Sequence, residues 1–245
     1  MDTKAFYEER AAEHNAELTA IAKGKRRLIT HDDRFELVVA YLRKEWLGKK
    51  DLQVLDVGCG DGVYEKLLDN DILQKNTFFG LDISDLQREK SRSVFKEVKG
   101  IDFEKDDIPY EEGRFDYVIC SEVVEHLFYP EKILNEIKRV LKPGGILVFT
   151  TPNLASLQIR LAMMFWGTSP CLDYRENKQH IRFYTKKTIL GMMKGLQFVQ
   201  QIGINSLVFE RFMFPVRIIL PYFLQRVSNK LFPNLSAGLF LIFKK

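Results

Sequence analysis

The chain has 245 residues, 46% of them hydrophobic and 29% charged, enough for one sizeable core and too few for two full domains. Its net charge of +4, from 37 basic and 33 acidic residues, is small and spread along the chain, so it does not argue for nucleic acid, which demands a concentrated basic face. The three cysteines, Cys59, Cys120 and Cys171, form no CxxC pair and no disulfide pattern, which predicts a reducing, cytoplasmic compartment.

The first residues, MDTKAFYEERAAEH, are charged and lack the apolar core of a signal peptide. No run of about 18 uncharged apolar residues predicts a transmembrane helix. The nearest approach, 212–224, is interrupted by Pro215, Arg217 and Pro221. Residues 2–20 read as a polar amphipathic helix. Residues 32–47 read as another, with Phe35, Val38, Val39, Leu42 and Trp46 at helical spacing. The period then changes. Residues 54–57 form a short apolar run stopped by Gly58, and a helix over about 62–69 follows. Residues 78–83 are a second such run, 85–98 are helical in composition, 117–120 suit a buried strand and 130–141 a helix. Lys142-Pro143-Gly144-Gly145 breaks that helix before a further strand over 146–150. Short apolar strands alternating with helices predict an α/β, doubly wound parallel sheet with right-handed crossovers. Ligands of such sheets sit at the carboxyl ends of the strands.

The residues just past the first strand are Asp56-Val57-Gly58-Cys59-Gly60-Asp61-Gly62. Glycines at alternate positions let backbone approach a ligand closely. The dinucleotide pattern G-x-G-x-x-G is not met, because position 63 is Val, and Asp61 stands inside the loop. A pyrophosphate would be repelled by Asp56 and Asp61, whereas a cation would be attracted. S-adenosylmethionine carries a sulfonium and an ammonium group and no phosphate. Asp82 ends the second strand about 20 residues on, where a carboxylate can accept hydrogen bonds from both ribose hydroxyls. Asp106-Asp107-Ile108-Pro109 is either a polar loop or an adenine site, an acid holding the amino group and Ile108 packing on the ring.

A second constellation follows the strand that ends at Cys120. In Ser121-Glu122-Val123-Val124-Glu125-His126, a helical turn would put Glu122, Glu125 and His126 on one face. His180 stands further on in QHIRFYT. Acids in a first turn also stabilise a helix dipole, and His126 could cap or pack. The alternative is a divalent metal site, whose two oxygen and two nitrogen ligands would suit Mg²⁺, Mn²⁺ or Zn²⁺. Either arrangement favours transfer to oxygen, since a hydroxyl is a poor nucleophile until its proton leaves. A metal would lower its pKa, and without one His126 or His180 is the natural base, with His126 assigned.

The runs VLDVGCGDG, GLDIS, DDIPYEEGRFDYVIC and LKPGGILVFTTPN, in that order over residues 50–153, resemble the successive motifs of class I methyltransferases. That resemblance implies a seven-stranded Rossmann-like sheet whose last strand, here 237–243, is antiparallel, with helical insertions after strand 5 and between strands 6 and 7. It implies S-adenosylmethionine contacts from Asp56, Gly58, Cys59, Gly60, Asp82, Ile83, Asp106, Asp107, Ile108 and Cys120. FYEERAAEH is similar to the lid helix of many members, where a tyrosine such as Tyr7 closes over the cofactor. The E-x-x-E-H run resembles the ubiquinone-biosynthesis O-methyltransferases and, with a distant histidine, the small-RNA terminal 2′-O-methyltransferases. On that likeness Glu122, Glu125, His126 and His180 would be metal ligands. TPNLASL followed by HIRFYTKKTI looks like bacterial methyltransferases of lipid and cell-surface saccharide synthesis.

The resulting expectation is one domain over 1–245, with lid helices in 1–48, a cofactor core in 49–153 and acceptor-side insertions at 154–185 and 206–233. The helix over 154–166 either roofs the acceptor pocket or completes the core. The segment 206–233 mixes Phe209, Phe212, Phe214 and Tyr222 with Arg211, Arg217, Arg226 and Lys230, which suits a greasy pocket, peripheral contact at the inner membrane face, or a homodimer. The leading expectation is O-methylation of a small-molecule, lipid-linked or saccharide hydroxyl. The alternatives are small-RNA 2′-O-methylation, for which Lys178, Arg182, Lys186 and Lys187 offer only a short basic track, and a non-catalytic cofactor-binding partner subunit.

Overall fold

The computed structural model describes residues 4, 8, 32–168, 180–204, 208–209, 218–219 and 222–245. The expected helix over 2–20 and Tyr7 lie outside the described residues, as does Cys171.

The first helix, α1 (Asp32–Trp46), buries Val38, Val39, Leu42 and Trp46. These fall three and four apart and so form one stripe, as their spacing demanded. Next come β1 (Gln53–Val57), α2 (Val63–Lys66), α3 (Asn70–Lys75), β2 (Thr77–Asp82), α4 (Asp85–Ser91) and β3 (Glu97–Gly100). The helix expected over 62–69 is shorter, Val63–Lys66, and a further short helix follows the extended Asp69, outside the expected range. The helix expected over 85–98 ends at Ser91, and its last residues are strand β3 instead. That strand lies at the sheet edge, with Glu97 and Gly100 exposed, so it lacks the apolar run that marks a buried strand.

The chain continues through β4 (Phe115–Ser121), α5 (Pro130–Val140), β5 (Leu141–Pro152), α6 (Leu157–Trp166), α7 (Lys186–Met192) and β6 (Gln197–Ile204). Pro130 opens α5 at a position where a missing N–H costs nothing, and Ile133, Leu134, Ile137 and Val140 form its buried stripe. A short hairpin of β7 (Val208–Phe209) and β8 (Ile218–Ile219), helix α8 (Tyr222–Leu231) and β9 (Gly238–Lys244) complete the order.

Seven strands form one sheet in the order β3-β2-β1-β4-β5-β9-β6. β9 runs antiparallel between β5 and β6, with Leu147 opposite Phe243, and the pairs among the first five strands are parallel. This is the sheet expected from the motif order. Alternate residues of each strand point to opposite faces. Leu55, Phe79, Val118 and Phe149 face the layer holding α5 and α7, while Val54, Phe78, Ile119 and Val148 face α1. Among the described residues no helix is long and apolar enough to cross a membrane.

Candidate functional site

The carboxyl ends of β1 and β2 are joined by backbone. Gly58 and Cys59 donate their N–H groups to the Leu81 carbonyl at 2.8 and 3.0 Å, which folds the glycine loop across the end of β2. Gly58 has φ 75° and a Cβ there would lie 2.5 Å from Val123 Cγ2, so position 58 tolerates only glycine. Gly60 also has a positive φ, but open space lies where its Cβ would stand. Its N–H donates to Asp82 Oδ2 at 2.9 Å, and the Ser84 N–H donates to Oδ1 at 2.9 Å. Asp82 is thus fixed at the strand end by two donors that polarise its oxygens without exhausting their lone pairs.

Beneath this loop carboxyl groups are concentrated. Asp56 is buried, and its carboxyl is pushed well above the usual range by burial and then by Glu65 and Asp82. Glu65 is fully buried with neither oxygen hydrogen-bonded, and burial first, then Asp61, pushes it up to about 7. Burial also raises Asp82, against the pull of its two backbone donors. Three acids in one poorly solvated region suit a cation above them, and an open glycine loop admits one closely. The residues present therefore fit a sulfonium-bearing nucleoside. The Glu8 carboxylate accepts from Ser84 Oγ at 3.0 Å and from the backbone of Asp85, which sets Glu8 against the same strand end.

The other expected cofactor residues divide. Cys59 and Cys120 are both buried, with their thiols pushed up by burial, so their side chains are core and only the Cys59 backbone belongs to the loop. Ile83 lies in the turn after β2, where its carbonyl accepts from Arg88. Ile108 is 2% exposed inside the core, and its N–H donates to Glu136, which leaves no face for a ring to stack on. Asp106 accepts from the Asp102 N–H, and Asp107 is exposed and ion-paired with Lys132. Because β3 ends at Gly100, the first acid past the third strand is Asp102, one the sequence pattern passed over.

The carboxyl ends of β4 and β5 carry a different construction. β4 extends through Ser121, and Glu122 then adopts φ 55°, a left-handed conformation rare for a non-glycine residue. The expected helical turn is a single 3₁₀ turn over Val124–His126, so Glu122 does not share a face with Glu125 and His126. Instead Glu122 Oε2 meets Arg34 of α1 at 2.9 Å, and Oε1 accepts from Thr150 Oγ1 at 3.0 Å. Thr150 Oγ1 is 2.7 Å from Ser121 Oγ, which is 2.6 Å from the Tyr64 hydroxyl. Burial works to lower the Arg34 pKa, but Glu122, Tyr64 and Glu125 outweigh it and raise it.

Glu125 is 1% exposed. Thr151 Oγ1 donates to its Oε2 at 3.2 Å, and Oε1 has no hydrogen-bond partner. Burial, then the nearby Glu122, pushes its carboxyl well above the ordinary range. The Glu125 carbonyl accepts from Ile181 and Arg182 at 3.0 and 3.1 Å, Arg182 reaches the Phe128 carbonyl, and the Tyr184 hydroxyl bonds the Val124 carbonyl. These bonds strap residues 180–184 onto the turn and bring His180 to His126, their ring centroids 4.9 Å apart. One ligand atom from each of Glu125, His126 and His180 lies within 4.8 Å of the other two. Glu122 stands outside that trio.

Arg34, Tyr64, Ser121, Thr150, Thr151 and Asp102 were missed in the sequence. Arg34 offers no local signal, being 88 positions from its partner. Thr150-Thr151, two polar residues closing the apolar run ILVF at a carboxyl strand end, was a readable one.

Residues 28–200 match the model of a methyltransferase domain. An uncharacterised protein of Methanocaldococcus jannaschii is 40% identical over 123 residues, 49% of each chain. The ubiquinone biosynthesis O-methyltransferase of Thiobacillus denitrificans is 31% identical over 135 residues, 50% of this chain and 56% of that one. Its counterpart in Chromobacterium violaceum is 30% identical over 171 residues, 64% of this chain and 69% of that one. The chain spans about half the length of the first two of these relatives. Among solved structures, a putative methyltransferase of Bacillus halodurans superposes with TM-score 0.59 at 18% identity, covering 84% of this chain and 98% of that one. A SAM-dependent methyltransferase of Archaeoglobus fulgidus gives 0.55 at 22%, covering 87% and 96%.

Proposed function

We propose that this chain, which belongs to the methyltransferase domain family and takes its methyl group from S-adenosylmethionine, delivers it to a hydroxyl oxygen of a small-molecule, lipid-linked or saccharide acceptor. The observation that carries the reading is the Glu125–His126–His180 trio at the carboxyl end of β4, one strand from the glycine loop. The names of the relatives from Thiobacillus and Chromobacterium point the same way.

S-adenosylmethionine supplies a methyl group on a cationic sulfur, a good leaving group for in-line displacement. The chain would bind it through the backbone of Gly58, Cys59 and Gly60, with Asp82 accepting from ribose hydroxyls and Asp56 offsetting positive charge. The protein's remaining tasks are alignment and proton removal. An imidazole nitrogen of His126 would take the acceptor's hydroxyl proton, and His180 beside it would bias the ring's orientation.

The same trio is a candidate divalent-cation site. Its one carboxylate and two imidazoles fit Zn²⁺ or Mn²⁺ better than Mg²⁺, which prefers oxygen. Glu125 Oε1, without a hydrogen-bond partner among the described residues, would supply a carboxylate ligand atom once a cation displaced the proton. A cation held there would lower the pKa of an acceptor hydroxyl. Glu122, committed to Arg34 and Thr150, would orient the turn from outside that set.

The test is transfer of labelled methyl from S-adenosylmethionine to an extract of the source organism, then separated into lipid, saccharide, small-molecule and RNA fractions. A methyl ether in one of the first three is expected. N-methyl or C-methyl products would overturn the assignment to oxygen, and label in RNA would overturn the acceptor class. Chelator-treated protein that keeps its turnover leaves His126 as the base, and loss restored by Zn²⁺ or Mn²⁺ assigns the trio to the cation.

A further inference from the structure

Past the carboxyl end of β5 and at the start of α7 lies a cavity of about 490 Å³ whose lining includes Asn153, Arg160, Thr185, Lys186, Lys187 and Leu190. Its position follows from the fold. Asn153 is the residue just past β5, on the same sheet edge as Glu122 and Glu125. It forms a parallel bridge with Tyr184, whose hydroxyl bonds the turn carrying His126. Asn153 is buried, and its amide donates to the carbonyls of Asn234 and Ser236 at 3.0 and 2.8 Å, so the floor of the cavity is fixed. Thr185 and Thr188 close a reciprocal cap that sets where Lys186 and Lys187 leave the backbone.

The charge on this cavity is one-sided. Arg160, Lys186 and Lys187 all line it, and among the described residues no carboxylate does. Lys66, Lys75, Lys105 and Lys132, by contrast, are each paired to an aspartate. None of the three cavity cations is ion-paired among the described residues. Arg160 Nε donates to the Ala155 carbonyl at 2.7 Å, which steadies the guanidinium at the wall, and Lys186 Nζ lies 4.5 Å from the Phe198 ring centroid. Leu190 and Ala155 supply apolar wall. Three unneutralised cations around a partly apolar hollow recognise an anionic group on an otherwise apolar or sugar-like body.

We propose that this cavity binds a phosphate or carboxylate group carried by the methyl acceptor, so that the acceptor is an anionic amphiphile held at its charged end while its hydroxyl lies at the trio. The inference rests on the O-methylation reading for the acceptor's role, though the anion site itself does not. Phosphate esters and carboxylates share the recognising chemistry and are separated by the choice of probe.

Binding of inorganic phosphate, dodecyl phosphate and benzoate to the full chain would be followed by protein-observed NMR, in wild type and in Arg160→Gln/Lys187→Gln. Both positions are exposed, so the fold survives the change. At least one probe is expected to bind wild type and to bind the double variant about tenfold or more weakly. Preference for dodecyl phosphate over benzoate identifies a phosphate ester, and the reverse a carboxylate. No binding of any probe, or equal binding to the variant, overturns the site. Turnover of catechol against 3,4-dihydroxybenzoate separates the two readings. A lower KM for the anionic phenol, lost in the double variant, supports the proposal. Equal KM values overturn the acceptor's anion and leave O-methylation standing. Anion binding with no methylation of either phenol would tell against the hydroxyl reading and leave the cavity's ligand assigned.

Discussion

The two halves of the sheet's carboxyl edge are built by different means. The half proposed to hold the cofactor, at β1 and β2, is made from backbone, with glycine turns, two N–H groups on one carbonyl and a strand-end aspartate held by two more. The half proposed to hold the acceptor, at β4 and β5, is made from side chains gathered from α1, α2, β5 and the strap at 180–184. A backbone cradle accepts one ligand whose shape never varies, whereas a side-chain assembly can be re-specified residue by residue. The difference lets each half be damaged separately.

The largest expected effect belongs to the acceptor half. His126→Ala should lower turnover by about 10²–10⁴-fold, the usual worth of a positioned proton acceptor, while calorimetry shows S-adenosylhomocysteine binding unchanged. A parallel loss of cofactor affinity would mean that the halves are one unit. Next comes the mirror experiment. Asp82→Ala removes a charged acceptor and the anchor of Gly60, and should weaken cofactor binding by about 100-fold, since hydrogen bonds to charged groups contribute about 1.5–3 kcal/mol each.

Arg34→Met tests the join between α1 and the acceptor half. It strands Glu122 without its cation and should destabilise the fold by about 3 kcal/mol, read by denaturant titration, together with a fall in turnover. Glu65→Gln probes the cofactor half without touching a ligand. The folded-state pKa of Glu65, about 7, lies above its ordinary 4.5, so its contribution to stability is intact below about pH 4.5 and is lost as pH rises through 7. The variant should therefore melt several degrees higher than wild type at pH 8 and at nearly the same temperature at pH 4.5. A gain at both pH values would mean that packing, and not ionisation, sets the effect. Smallest of all, Lys75→Ala breaks an exposed i,i+4 pair with Asp71 and should cost no more than about 0.5 kcal/mol.

The same contrast explains what could be read from the sequence. The cofactor half lies within 53–82, and its strand, glycine loop and strand-end acid are contiguous or nearly so, because backbone geometry is encoded by neighbours. The parallel sheet followed from the alternation of runs, save for β3, whose polar edge carries no apolar signature, while the antiparallel last strand came from the family resemblance. The trio was half legible. Glu125, His126 and His180 come together, but Glu122 does not, since helical spacing was assumed where the chain turns left-handed at 122. Arg34 was invisible, because nothing local distinguishes an arginine that will meet a glutamate 88 positions away. Ile108 looked like a ring platform only because its loop neighbours are acids, and the core claimed it.

One of the contacts between the halves is steric. The Val123 methyl sits where a side chain at position 58 would begin, 2.5 Å from that imagined carbon. Val123 is two residues before Glu125, so the glycine loop and the turn that carries Glu125 pack directly against each other. An alanine at 58 would push on both rooms at once. Its injury would be seen by a probe of the histidines as readily as by a probe of the cofactor, from a position that touches neither imidazole. The fold keeps the two compartments distinct in construction yet gives them no independent tolerance there.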